Sequence, residues 1–163
     1  MVKKTEVLRF EAEILEELAN TKRIVGIIRS RVSGLPAPST DAYEAYIDSI
    51  AHNLENFYLA VEEIFKMICV ATAEGLPEGE RWHSTLLKNM TKEIKGVRPF
   101  VIGMGTYEMM DDYRKFRHLA RNIYTFNIVP EKVLTLAKPV NKTFKSFEGD
   151  IKGFMKFLLK MTD

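Results

Sequence analysis

The sequence predicts an all-α fold, an antiparallel helical bundle of four long helices and one short one. Three observations predict it. Apolar residues recur every three or four positions over long stretches, no segment alternates with period two, and glycine or proline falls between the stretches. The first stripe is Val7, Phe10, Ile14, Leu18, Thr21, Val25, Ile28 and Val32, which covers about seven turns. Gly34, free to take a positive φ, and Pro36 then end that helix. Asp41 is placed to cap the second helix, with Glu44 three positions on. Its stripe is the most regular of the chain: Tyr43, Ile47, Ile50, Leu54, Phe57, Val61, Ile64 and Ile68, ending near Gly75. A short third helix is expected from Trp82 to Lys95, closed by Gly96. Pro99 and two glycines make the segment from Val97 to Gly105 a loop. Thr106 is expected to cap a fourth helix with the stripe Met109, Tyr113, Phe116, Ala120 and Ile123. The last helix begins after Pro130, kinks at Pro139, and continues through Val140, Phe144, Phe147, Ile151, Phe154, Leu158 and Met161.

With 163 residues, 46% hydrophobic and 28% charged, the chain has the size and composition of a single domain over 1–163 with its own core. The net charge of +2 is too small to identify a partner, but its distribution is uneven. Between Asp41 and Glu63 there are acids and no Lys or Arg; between Arg114 and Arg121 there are bases and no acid. Such a chain can turn opposite faces to different partners. The lone Cys69 excludes an internal disulfide, and its apolar neighbours mark it as a small buried thiol. The first residues lack an apolar signal core, and no run reaches the roughly 18 apolar residues of a membrane span. A cytoplasmic protein without membrane contact is the expectation.

Common enzyme signatures are missing. There is no Gly-rich phosphate loop, no H-E-x-x-H, no Cys pair and no Gly-x-Ser-x-Gly elbow. Neither a metal site nor a cofactor is expected, because no His and carboxylate spacing suits a metal. His52, beside Asn53 and Asn56, reads as structural. Trp82 and His83 read as an anchor at the core edge, although an indole and an imidazole can also stack on a base. The segment from Arg117 to Tyr124 is different: it gathers Arg117, His118, Arg121, Asn122 and Tyr124 within eight residues. Guanidiniums clustered on a short helical segment suit a site that grips an anion such as phosphate. At about 100° per residue, Arg117 and Tyr124 fall on one edge of the buried face, with Arg121 close by, and His118 and Asn122 fall further round. The tyrosine ring can bury there while its hydroxyl reaches out.

These residues resemble the motif of the HepT-like ribonuclease toxins of the HEPN superfamily, in which Arg is followed after four residues by His and after one more by Tyr. Here the frame is Arg117, the polar His118, Asn122 in place of the His, and Tyr124. The runs Phe116 to Arg121, Arg81 to Met90 and Val97 to Pro99 also resemble one HepT-like subgroup, so the likeness spans about residues 43–160. It implies a HEPN-like bundle that forms a homodimer, with motif residues of both subunits lining a cleft that cuts an RNA substrate without metal. It further implies that Arg117 clamps phosphate and that Arg121 assists RNA binding. Tyr124 would be the adenylylation target of a minimal nucleotidyltransferase antitoxin. Asn122 departs from the pattern: a carboxamide positions a phosphate but does not shuttle a proton near neutral pH. His118 taking over the proton work is one resolution. The alternative is a non-catalytic module that binds RNA or a nucleotidyltransferase partner.

Overall fold

The computed structural model describes residues 3–124 and 127–162, and six α-helices make up their regular structure, with one isolated bridge between Ile94 and Arg98. Helix α1 (Lys4–Ser33) buries Val7, Ile14, Leu18, Thr21, Val25 and Ile28, the expected stripe, with Phe10 and Val32 half-buried against the core. The buried Thr21 hydroxyl is satisfied by donating to the Glu17 carbonyl at 2.7 Å. Gly34 ends α1 at φ −96°, an ordinary conformation, so the stop does not use glycine's left-handed freedom.

Helix α2 (Asp41–Ala71) returns beside α1. Arg31 near the end of α1 lies 5.5 Å over the Tyr46 ring near the start of α2, which makes the pair an antiparallel hairpin. Thr40, not Asp41, is the cap: its backbone is extended and its hydroxyl accepts the Tyr43 N–H at 3.3 Å. All of the predicted stripe from Ile47 to Ile68 is buried. A second buried row, Ala51, Tyr58, Glu62, Phe65 and Cys69, lies beside it, because α2 is the central helix and packs on α1, α3, α4 and α5. Burial pushes the Cys69 thiol up to about 12, with Glu74 adding to the shift.

Helix α3 (Trp82–Asn89) stops well short of Lys95. Its last carbonyls are taken by tertiary partners: Met90 O accepts the N–H groups of Val101 and Ile102 at 2.8 and 3.1 Å, and the Arg98 guanidinium donates to Asn89 O at 3.3 Å. Gly96, at φ +76°, turns the loop between Ile94 and Arg98 and closes no helix. Arg98 is 3% exposed and also donates to the Lys92 and Pro99 carbonyls and, through Nε, to both oxygens of Glu74 at 2.9 and 3.2 Å.

Helix α4 (Met104–Asn122) begins after Gly103, so Thr106 lies inside its first turn and does not cap it. The cap comes from across the bundle. Asp150 accepts the Gly103 N–H at 3.0 Å and the Thr106 hydroxyl at 2.6 Å. The expected kink at Pro139 is a full break between α5 (Pro130–Ala137) and α6 (Val140–Lys160), since proline has no N–H to carry the ladder on. The bundle therefore has two short helices, not one. On α6, Val140, Phe144, Phe147, Ile151 and Phe154 are buried, and Met161 is exposed. No helix of the described residues is long and apolar enough to cross a membrane.

Candidate functional site

One cleft of about 690 Å³ opens where α2, the start of α3 and the last turns of α4 meet. From α4 it receives Arg114, Arg117, His118, Arg121 and Asn122. The segment opening α3 adds Glu80, Arg81, His83 and Ser84, and α2 adds Tyr58. Burial of Tyr113 and Phe116 fixes the rotation of α4 and so presents its cationic side to this space. The Tyr113 ring stands edge-on to Phe57 at 5.1 Å, and its hydroxyl donates to the Leu136 carbonyl at 2.8 Å.

Behind the lining residues His83 and Arg117 sits Glu62, only 1% exposed. Its two oxygens face two different partners: Oε2 is 2.6 Å from His83 Nδ1, and Oε1 is 3.8 Å from an Arg117 Nη. A carboxylate this buried persists only when paired, and these contacts supply the pairing. They also orient both partners. The Arg117 side chain is 13% exposed, so it is held against the cleft wall and is not a free surface cation. The His83 ring is stacked on Trp82 with centroids 3.7 Å apart.

One turn before Glu62 on the same face, the Tyr58 hydroxyl is a buried oxygen with no hydrogen-bond partner among the described residues. Burial pushes its pKa far up, helped by Glu62, so it stays a neutral donor at the cleft. Arg114 is balanced by Asp111, whose Oδ1 is 2.7 Å from Arg114 Nε and whose Oδ2 is 2.9 Å from Lys115 Nζ. Burial alone would raise the Asp111 carboxyl, but donation from Arg114 and Lys115 outweighs it and holds the group below the usual carboxylate range. Among the described residues neither Arg81 nor Arg121 has an ion-pair partner.

The structure thus brings Arg117, His118, Arg121 and Asn122 to one cleft, although helical spacing alone set His118 and Asn122 further round from Arg117. Asn122 ends α4 and donates its side-chain amide to the His118 carbonyl at 2.6 Å. Tyr124 departs from expectation. Helix α4 ends before it, so it shares no helical ridge with Arg117; it is 73% exposed and does not line the cleft. Residues 125 and 126, next to it, lie outside the described residues. His83 departs as well: it is a cleft residue on a buried carboxylate, not a core-edge anchor. Glu62 and Tyr58 were missed entirely. Their signal was available, as an acid and a phenol one turn apart in the second buried row of α2.

A family described as HepT-like protein matches residues 49–158. The chain belongs to the HepT-like family. Comparison with curated proteins and with solved structures returned no match. The HepT-like span opens inside α2, after α1, and runs to the end of α6, so it includes every residue of the cleft.

Proposed function

We propose that this HepT-like protein is the ribonuclease toxin of a toxin–antitoxin pair and that the α2–α3–α4 cleft is its RNA site. The observation that carries the reading is the convergence of Arg81, Arg114, Arg117 and Arg121 on one cleft, with Arg117 oriented by buried Glu62. Guanidiniums fixed around a concave space suit a phosphodiester better than a free surface charge does. In the reaction the ribose 2′-oxygen attacks the adjacent phosphorus and the 5′-oxygen leaves. Charge develops on the phosphate oxygens, which Arg117 would stabilise.

The HepT-like resemblance extends this reading to assembly and control. The active form is a homodimer through α4, with both clefts contributing. Tyr124, exposed beyond the end of α4, is the adenylylation target of a minimal nucleotidyltransferase antitoxin. One observation favours a second reading. Asn122 replaces the motif His and spends its amide on a backbone carbonyl, as a non-catalytic RNA- or nucleotidyltransferase-binding module would tolerate. Expression in cells separates the two. The toxin reading expects growth arrest that Arg117→Ala relieves, and light scattering of a dimer; a harmless, monomeric parent protein would support the module.

A further inference from the structure

We propose that His83, held by Glu62, is the general base of the cleft, in place of the motif His that Asn122 has displaced. The inference rests on the ribonuclease reading above and assigns its proton acceptor. A carboxylate can only accept a hydrogen bond, so the 2.6 Å contact requires His83 Nδ1 to be the donor. With Nδ1 committed, the neutral imidazole carries its lone pair on Nε2. His83 lines the cleft and its side chain is 31% exposed, so the ring is open to a ligand. Glu62, by contrast, is 1% exposed and reaches no solvent of its own. The same carboxylate that orients His83 through one oxygen faces Arg117 through the other, so phosphate on Arg117 lies beside the imidazole. A buried acid that holds an imidazole at the edge of a cleft is the kind of acid–His pair that activates a hydroxyl in many hydrolases.

The other candidates lack this construction. The His118 side chain is exposed and no partner orients it among the described residues. Asn122 has no titrating proton near neutrality. Tyr58, whose buried hydroxyl has no partner among the described residues, is a phenol that stays neutral and so takes no proton either.

In the step assigned, His83 Nε2 takes the proton of the ribose 2′-hydroxyl as the 2′-oxygen bonds to phosphorus. The P–O5′ bond breaks with its electron pair going to the 5′-oxygen, which is protonated by water. The imidazolium then returns its proton to solvent, and a 2′,3′-cyclic phosphate remains. His83 is the catalytic residue and Glu62 its positioning residue.

The test uses the full chain, a labelled single-stranded RNA and excess chelator. His83→Ala and His83→Gln should lower the cleavage rate by about 10²–10⁴-fold, measured at a temperature where circular dichroism shows each variant folded. Free imidazole should restore part of the rate to His83→Ala. Glu62→Leu should lower kcat, and Glu62→Gln, which keeps an acceptor for Nδ1, should recover part of it. Cleavage by His83→Ala at the parent rate overturns the assignment and leaves the ribonuclease reading intact. So does loss of cleavage in folded His83→Ala and His83→Gln with no imidazole rescue. A parent chain that binds RNA but never cuts it overturns both.

Discussion

Arg98→Ala should destabilise the fold by about 3–5 kcal/mol, the usual cost of breaking a buried ion pair from one side. The magnitude follows from what the side chain does. Arg98 is fully buried as a side chain and its partner Glu74 is 10% exposed. Its guanidinium also donates to three backbone carbonyls, Asn89, Lys92 and Pro99, at 3.3, 3.0 and 3.1 Å. Removing it leaves a nearly buried carboxylate and three carbonyls without their donor. At roughly 2–4 °C per kcal/mol for a chain of this size, the melting temperature should fall by roughly 6–20 °C. Urea unfolding followed by the single tryptophan, Trp82 on α3, reads the change next to the lesion. Because this loop joins the α3 and α4 walls of the cleft, RNA affinity should fall with it. Arg98→Lys should lie between parent and Ala, since an ammonium cannot span the same acceptors. A loss under about 1 kcal/mol in Arg98→Ala would refute the view that this guanidinium organises the loop.

Other expectations are equally direct. Arg117→Ala and Arg121→Ala should each weaken RNA binding and reduce its salt slope by about one, read from titrations at several salt concentrations; an unchanged slope moves the site elsewhere. Asn122→His should raise chelator-resistant cleavage at least tenfold, because an imidazole there can protonate the leaving 5′-oxygen; an unchanged rate denies position 122 any part in proton transfer. Asp111 is held below the usual carboxylate range, so its stabilising effect is complete above the unfolded value near 3.9 and fades as pH falls through the lower folded value. The stability gap between the parent and Asp111→Asn should therefore persist at neutral pH and close only in strong acid, as measured by urea unfolding across pH. A gap that widens on acidification contradicts the pairing.

The stripes on α1, α2 and α6 were legible because each is buried along most of its length, so helical period and burial coincide. The helix ends were less so, and the reasons are tertiary. Asn89 ends α3 because Arg98 and the Val101 and Ile102 amides claim its final carbonyls. Thr106 looked like a cap, but Asp150 on α6 caps α4 and takes the Thr106 hydroxyl as well. The cationic half of the site was legible in part: Arg117 and Arg121 share one short helical segment, but Arg81 and Arg114, which also line the cleft, were not singled out. Its acidic counterpart was not legible. Glu62 and His83 are 21 residues apart and meet only through the packing of α3 on α2. Reading the second buried row of α2 would have exposed Glu62 as a charge out of place.

The central claim is that this cleft cuts RNA through Arg117 without a metal. Incubating purified protein with single-stranded RNA in excess chelator, and analysing the new ends, tests it most directly. The parent should leave 2′,3′-cyclic phosphate ends, and Arg117→Ala should leave none at equal folded concentration. Intact RNA with the parent, or the same ends produced by Arg117→Ala, would contradict it.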